Sequence, residues 1–405
     1  MVEVRRPRRR PMICQRLTEA LTTVAVLAVA INAAAQTMPM PPVVDVGLGR
    51  GVTIRAADDS ASLNIRARIQ VRSTLVDNPN DMTDVSEFSV RRARLVFQGN
   101  AAGPSLTYYV QLSFSNLDNE ADLRLPLRDA YITWTRSRDV AVRVGQMKVP
   151  FSRQRVVSSS ALQMVDRSIV VSELNLDRDV GIQVFSRDLF GLGTVGYSIG
   201  LFGGEGRNRL GRAPGFLYTA RLEAWPLGSF DDLVEGDLRR LERPRLAVAG
   251  SVGYNQNTNR PRSTIGTPSA VGDVDYMHAG ADVVLKWRGW SVTSEIMYRR
   301  ADPPARALAT PMVATSIVAR SGWGTYLQSG VMVSPRVEVT GRYSDLQPLH
   351  DNADVSFVSG REFSAGLGYY VHGHDLKIQG DVSDVENRGA RSHTRQVRIQ
   401  FQLFF

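Results

Sequence analysis

The sequence predicts an all-β protein, a transmembrane antiparallel β-barrel of about sixteen strands. Three observations support this prediction. Many segments of about ten residues alternate between apolar and polar residues, as strands with one apolar face do. The connections between these segments are alternately short and long. The last such segment ends on an aromatic residue, Phe405.

The first 35 residues have the three regions of a secretory signal peptide. Six arginines precede an apolar run from Leu21 to Ile31. Ala33 to Ala35 then form a small-residue cleavage site. A retained membrane anchor is the alternative, but spanning the bilayer core takes about 20 apolar residues. We therefore expect a signal peptide over 1–35, a periplasmic N-terminal segment over 36–60 and a barrel over 61–405.

Charge and cysteine content narrow the class of protein. The single cysteine, Cys14, lies in the predicted signal peptide, so the mature chain would contain no disulfide. The chain has 49 basic and 40 acidic residues, and the first 35 residues contain six arginines and two glutamates, which leaves a net charge of +5. This excess is too small to indicate a nucleic-acid partner. Only Lys148, Lys286 and Lys377 are lysines, and arginine grips carboxylate or phosphate with a planar fork.

The first predicted strand shows the alternation. One face carries Leu63, Ile65, Ala67, Ile69 and Val71, and the other carries Asn64, Arg66, Arg68, Gln70 and Arg72. A soluble β-sandwich would also alternate, but its strands usually have about five or six residues. Segments of about ten residues are long enough to cross a bilayer at a tilt. A sheet in lipid must close on itself, because every backbone N–H and C=O needs a partner.

Sixteen such segments can be counted, an even number as in bacterial barrels. They lie near 62–75, 87–99, 105–116, 127–137, 139–147, 178–187, 193–203, 216–226, 245–255, 274–287, 289–301, 322–332, 335–346, 360–371, 374–383 and 394–405.

The connections indicate the orientation of the barrel. They are short after even-numbered segments and long after odd-numbered ones, which is typical of periplasmic turns and external loops. The long connections include 148–177, 256–273 and 384–393. One connection departs from the rule, Leu227–Pro244, and we interpret it as a larger periplasmic turn with room for a short helix.

The arginines on the polar faces are the candidate functional residues. They are Arg66, Arg68, Arg72, Arg92, Arg94, Arg143 and Arg221. Rings of basic side chains in a pore favour anions, so the sequence predicts passive anion flux through an arginine-lined lumen. The alternative is that these arginines pair with carboxylates such as Asp129, Glu223, Asp282 and Glu295 and only stiffen the wall.

Several motifs resemble one family of outer-membrane proteins. They are Gly145-Gln146-Met147-Lys148-Val149-Pro150-Phe151, Arg178-Asp179-Val180-Gly181, Arg221 to Gly228 and Glu242 to Ala247. In this order they resemble the phosphate-selective porin O and P family. The resemblance implies a trimeric channel of sixteen strands that prefers anions and has an inward-folded third external loop. It further implies that Lys148, Arg153 and Arg155 lie at or near a constriction, and that Phe405 is recognised by the barrel-assembly machinery.

Two other functions stay open. One is a general diffusion porin with weak charge preference. The other is a barrel enzyme, which would need a paired serine and histidine; His278 shares a polar face with Asp282 and Lys286, and its own segment contains no serine. We expect no enzyme activity, no cofactor and no metal, although His372 and His374 flank a turn. The expected partners are small anions such as phosphate, outer-membrane lipid and two further copies of the chain.

Overall fold

Twenty strands and two short α-helices are found among the described residues of the computed structural model, which are 42–77, 84–119, 125–209, 215–267, 273–302, 305–306, 317–352, 354, 356–389 and 391–405. The predicted signal peptide lies outside these residues. The strands are β1 (Val43–Gly47), β2 (Gly51–Arg55), β3 (Ser62–Asp77), β4 (Val85–Asn100), β5 (Leu106–Ser113), β6 (Leu127–Ser137), β7 (Val140–Lys148), β8 (Arg178–Ser186), β9 (Val195–Phe202), β10 (Leu217–Ala224), β11 (Arg245–Thr258), β12 (Val274–Trp287), β13 (Trp290–Asp302), β14 (Ala305–Arg306), β15 (Ile317–Val318), β16 (Gly322–Met332), β17 (Val337–Pro348), β18 (Gly360–His372), β19 (Leu376–Asn387) and β20 (Ser392–Phe404). The helices are α1 (Arg153–Val156) and α2 (Ile169–Leu174).

Strands β3–β13 and β16–β20 form one closed antiparallel barrel of sixteen strands, as predicted. Each pairs with its neighbour in the chain, and β20 closes the sheet against β3 with Arg395 opposite Asp77 and Phe404 opposite Arg68. Two backbone hydrogen bonds of 2.8 Å between Ala67 and Phe405 complete the seam. The pairing is continuous from Arg395 to Phe404, so the sheet has no free edge along this seam, as a wall in lipid requires.

The wall is apolar outside and polar inside, the inverse of a soluble protein. On β3, Ile69 is 47% exposed while Arg68 is 2% exposed. The same contrast holds on β20, where Ile399 and Phe401 are exposed and Gln400 and Gln402 are buried. Exposed apolar side chains in such a continuous band are stable in hydrocarbon rather than in water. Among the described residues, no helix is long and apolar enough to cross a membrane.

Two local features differ from the predictions, and a further one, at the N-terminal side of the barrel, was not predicted. The segment before the barrel contains a hairpin, β1–β2, in which β2 extends the sheet beside the start of β3. The connection between β10 and β11 contains turns and no helix. The last connection predicted to be external spans only 388–391, because β19 and β20 each continue past the predicted ends of their segments.

Candidate functional site

Residues 149–177, here the β7–β8 loop, contact the polar face of the barrel wall. The Leu162 carbonyl accepts a hydrogen bond from Lys377 Nζ of β19 at 2.7 Å, and the Val165 amide donates to Asp381 of β19 at 3.1 Å. The Asp166 carbonyl accepts from Arg342 of β17 at 2.9 Å. These wall residues are all buried. The loop therefore lies on the same side of the wall as the polar faces of β17 and β19.

Serines begin both helices of the loop. The Ser152 hydroxyl accepts from the Arg155 amide and the Ser168 hydroxyl from the Val171 amide, at 3.2 and 3.1 Å. Such caps satisfy main-chain donors that would otherwise lack partners at a helix start. The loop also has an apolar anchor on the wall, formed by Val149, Phe151, Val170, Val171, Leu174 and Leu176 against Phe202, Leu217, Met297 and Tyr326. Polar and apolar contacts together give this long segment a defined position.

A cavity of about 210 Å³, here the basic pocket, lies between the β7–β8 loop and strands β4, β6, β7 and β8. Nine basic side chains line it, namely Arg91, Arg92, Arg94, Arg128, Lys148, Arg155, Arg167, Arg178 and Arg207. Only two carboxylates, Asp118 and Asp177, line it with them. The basic pocket thus combines a large excess of basic side chains with partial enclosure by protein, which strengthens the local potential.

Two β-bulges bring additional arginines to the basic pocket. On β4, Arg92 is opposite Gln70 and Val90 is opposite Val71, so Arg91 is an inserted residue. On β6, the same kind of shift between Asp129 and Leu127 leaves Arg128 inserted. An inserted residue departs from the strict alternation of the strand. Arg128 is therefore buried although alternation places it on the outer face.

Shared carboxylates hold these arginines in place. Asp118 accepts from Arg94 Nε at 2.5 Å and lies 3.6 and 3.5 Å from Arg92 and Arg128. Burial alone would raise the pKa of the Asp118 carboxyl, but Arg94, Arg128 and Arg92 hold it well below its usual value. Because one carboxylate serves three guanidinium groups, the cluster keeps a net positive charge.

On the other side of the basic pocket, Asp177 accepts from Arg155 Nε at 2.8 Å and from Arg178 Nη1 at 3.0 Å. Burial opposes ionisation of Asp177, and Arg155 and Arg178 outweigh it, so its pKa is also lowered. Arg178 in addition forms a bidentate pair with Asp129 at 2.9 and 3.0 Å. The fork geometry fixes the Arg178 guanidinium at the start of β8.

Two further basic side chains of the basic pocket, Lys148 and Arg167, donate to main-chain carbonyls of the β7–β8 loop. Lys148 Nζ donates to the carbonyls of Val156 and Val157 at 2.7 and 3.2 Å. Arg167 donates to the carbonyls of Gln154 and Val157, both at 2.8 Å. Carbonyl oxygens hold a cation without cancelling its charge. Burial, and then Arg155 and Arg92, lower the pKa of Arg167, as expected for a cation surrounded by cations.

The structure places four of the ten predicted site residues in the basic pocket: Arg92, Arg94, Lys148 and Arg155. Arg68 and Arg72 lie nearby on β3. Arg72 Nη1 bonds Asp166 of the loop at 2.5 Å, and Arg68 Nη1 bonds Ser158 at 3.2 Å. These six residues lie along one stretch of the wall and the loop segment that contacts it.

The other four predicted residues lie elsewhere. Arg143 stacks over Tyr131 and Phe185, at 4.4 and 4.9 Å from the ring centroids. Arg153 and Arg221 lie in an acidic cluster, where both bond Asp282 and both contact Glu223. The predicted alternative, pairing with wall carboxylates, describes Arg221, which contacts both Glu223 and Asp282. Arg72, Arg92 and Arg94 are also paired, but with carboxylates outside the strands.

The fourth, Arg66, lines a second cavity of about 470 Å³ at the start of β3. Its guanidinium lies 3.8 Å above the centroid of the Phe404 ring. Arg50 and Arg55 of the β1–β2 hairpin line the same cavity. Arg68 occupies the next inward position of β3, between this cavity and the basic pocket.

Sequence alternation missed five residues of the basic pocket, Arg91, Arg128, Arg167, Arg178 and Arg207. Arg178 belongs to the Arg178-Asp179-Val180-Gly181 motif, so the family resemblance could have indicated it. Arg91 and Arg128 are in bulges, which alternation does not reveal. Arg207 is in the connection after β9, where its Nη1 donates to the Leu125 and Leu127 carbonyls at 3.2 Å.

A serine–histidine pair does occur. His278 Nε2 lies 3.0 Å from the Ser263 hydroxyl, and both residues are almost fully buried. No hydrogen-bond partner of His278 Nδ1 is found among the described residues. A catalytic pair needs a third group that orients the histidine, so this pair lacks a feature of the enzyme alternative. Around the predicted turn, His374 bonds the Glu235 carbonyl at 3.1 Å. The described residues contain no group of three or more potential metal ligands.

A closed sixteen-stranded barrel with an apolar exterior and a polar interior is the architecture of an outer-membrane channel. Comparison with known proteins identifies the family. The chain belongs to the phosphate-selective porin O and P family, whose model matches residues 63–405. The family predicted from the motifs is thereby confirmed.

Individual relatives are distant. The chain is 23% identical over 384 residues to an uncharacterised protein of Aquifex aeolicus (strain VF5), with 87% of this chain and 89% of that protein covered. Its structure is similar to that of the anion-selective porin from Comamonas acidovorans, with a TM-score of 0.57 and 11% identity over 85% of this chain and 100% of the other. It is also similar to the outer membrane channel DcaP of Acinetobacter baumannii, with a TM-score of 0.55 and 11% identity over 87% and 99% of the two chains. At such low identity these structures support the barrel fold alone.

Proposed function

We propose that this porin is a passive channel that favours small anions, phosphate-sized ions among them. The observation that carries the proposal is the composition of the basic pocket, where nine basic side chains face two carboxylates. Basic rings in a narrow passage favour anions over cations. Enclosure by protein strengthens the effect, because charges interact more strongly in a medium of lower dielectric constant.

The basic pocket also offers hydrogen-bond donors to an anion. The Nε atoms of Arg92 and Arg128 are buried and have no hydrogen-bond partner among the described residues, although Arg92 Nε lies 3.6 Å from the Asp118 carboxylate. A buried donor without a partner is costly, and an entering anion would satisfy it. Because Asp118 competes with the anion for the same guanidinium groups, binding would be moderate rather than tight, which suits transport.

We infer a route along the β3 side of the barrel. The basic pocket lies at one end of it and the cavity lined by Arg50, Arg55 and Arg66 at the other. Arg68 of β3 lies between them, 2% exposed and with two guanidinium nitrogens, Nε and Nη2, lacking partners among the described residues. In this proposal the β7–β8 loop narrows the lumen and confines solutes to that side.

The test is the reversal potential of the purified protein in a planar bilayer under a salt gradient. The proposal expects a reversal potential near the equilibrium potential of the anion. A reversal potential near that of the cation would reject it. Addition of phosphate to a chloride solution then distinguishes two outcomes. A reduction of the chloride current indicates a phosphate site, whereas an unchanged current indicates the general diffusion alternative. The many ion pairs of the lumen are the observation that favours that alternative.

Three further expectations belong to the same proposal. The first 35 residues would be removed during export to the outer membrane, Phe405 would be recognised by the barrel-assembly machinery, and the mature chain would form a homotrimer. Mass spectrometry of the purified protein tests the cleavage near Ala35. Unboiled samples should migrate as a trimer on a gel and boiled samples as a monomer.

A further inference from the structure

The connection from Trp225 to Pro244, here the β10–β11 loop, is far longer than the other turns at its end of the barrel. Three of its acidic residues are buried, with Asp232 at 2%, Glu235 at 4% and Asp237 at 2% exposure. Acidic residues of an ordinary turn are solvated, and buried carboxylates are normally paired or hydrogen-bonded. Their partners therefore show what this loop does.

Asp232 joins the β10–β11 loop to the β7–β8 loop, although the two leave opposite ends of the barrel. Its carboxylate bonds Arg153 Nη1 of helix α1. It also accepts from Arg187 Nη2 at 2.5 Å and from Trp225 Nε1 at 3.2 Å. Burial would raise the pKa of Asp232, but Arg153 and Arg187 lower it, so the carboxylate is charged and paired.

Glu235 is the second residue of the β10–β11 loop that bonds the β7–β8 loop. Its carboxylate accepts from the Gln163 amide at 2.8 Å and from Gln154 Nε2 at 3.0 Å, both in the β7–β8 loop. Its own amide donates to the Ala161 carbonyl at 2.9 Å. Gln328 Nε2 of β16 donates to the same carboxylate at 3.0 Å. Glu235 thus bonds three positions of the β7–β8 loop, one strand of the wall and, through its carbonyl, His374 of the β18–β19 turn.

The β10–β11 loop is itself fixed to the barrel, so it can serve as a support. Lys286 of β12 donates to the carbonyls of Asp231 and Val234 at 2.8 and 2.6 Å. The Asp237 carboxylate accepts from the Gly289 amide at 2.7 Å. Apolar contact also joins the β10–β11 loop to the β7–β8 loop, where Val234 packs against Val157, Ala161 and Leu162.

We propose that the β10–β11 loop is a positioning element for the pore, with Asp232 and Glu235 as its positioning residues. They hold residues 153–163 from the predicted periplasmic side, so that Arg155 stays in the basic pocket and the lumen beside β10–β17 stays closed. The proposal rests on the proposed function, in which the β7–β8 loop narrows the channel. It adds that the β10–β11 loop, which leaves the other end of the barrel, sets the width and the selectivity of the channel by holding the β7–β8 loop.

The experiment compares Asp232→Asn, Glu235→Gln and the double variant with the wild type in planar bilayers. The matched control is Glu242→Gln, which removes a carboxylate from an exposed position of the same loop. The two single variants should raise single-channel conductance by about twofold and lower the anion preference, and the double variant more so, because a wider lumen dilutes the basic field. Glu242→Gln should behave as the wild type. Wild-type conductance and selectivity in all three variants would overturn the proposal.

A cross-link separates positioning from a general loss of stability. Ala161→Cys and Val234→Cys are introduced into the double variant, with Cys14→Ser. Oxidation should restore conductance and selectivity to wild-type values, and reduction should reverse this. Identical oxidised and reduced channels, with the disulfide shown by mass spectrometry, would reject the positioning role. These comparisons are made between variants, so they remain decisive even if the wild-type reversal potential disproves anion preference.

Discussion

Arg128→Gln tests the basic pocket at a residue that a β-bulge places there. The substitution removes one positive charge and the hydrogen bond that Arg128 Nη1 donates to the Asp118 main-chain carbonyl, while glutamine leaves a polar side chain at the position. Asp118 keeps Arg92 and Arg94 as partners. The change therefore alters the charge of the basic pocket with little loss of structure.

The size of the effect follows from Coulomb's law. For an anion roughly 6 Å from the lost charge, the interaction is about 0.7 kcal/mol at the dielectric constant of water and about 2.8 kcal/mol at an effective value of 20. A middle value of about 1.4 kcal/mol corresponds to a tenfold change in the anion to cation permeability ratio. Screening should shrink the difference as the salt concentration rises.

The assay is the reversal potential under a potassium chloride gradient, recorded for the wild type, Arg128→Gln and Arg143→Gln. Arg143 is the matched control, because it lies on the neighbouring strand β7 but stacks over Tyr131 and Phe185 outside the basic pocket. We expect a reduced permeability ratio for Arg128→Gln and a much smaller change for Arg143→Gln. Equal changes in the two variants would refute the assignment of selectivity to the basic pocket.

Three other predictions concern stability. The pKa of Asp166 is lowered because Arg72 and Arg92 outweigh its burial. The contribution of Asp166 to the free energy of unfolding is therefore complete above the ordinary carboxyl pKa of about 3.9, and it is lost as the pH falls through the lowered pKa. The difference in current noise between the wild type and Asp166→Asn should be constant from neutral pH to about 5 and vanish in stronger acid; a difference that disappears near neutral pH would contradict this. Arg178→Ala strands the buried Asp129 carboxylate and should cost about 3–5 kcal/mol, seen as a lower temperature of barrel unfolding on gels, with Arg143→Ala as the control. Val252→Arg, on the exposed face of β11, should cost about 2–4 kcal/mol near the bilayer midplane, measured by urea titration in vesicles; no loss relative to Val252→Ala would argue against lipid contact there.

The sequence by itself determined the barrel. Alternation along a strand is a local property, because successive side chains point to opposite faces whatever the rest of the chain does. It therefore identified all sixteen barrel strands and the buried face of β3 that carries Arg68 and Arg72. The order of the motifs identified the family, which the match over residues 63–405 confirms.

Only the tertiary structure decided which charges meet. Arg153 and Arg155 lie two positions apart in one helix, yet Arg153 pairs in an acidic cluster and Arg155 lines the basic pocket. Inserted residues such as Arg128 and the partners of Glu235 come from pairings between segments far apart in the chain. A local pattern carries no information about such pairings, because the electrostatic environment of a side chain depends on every group packed around it.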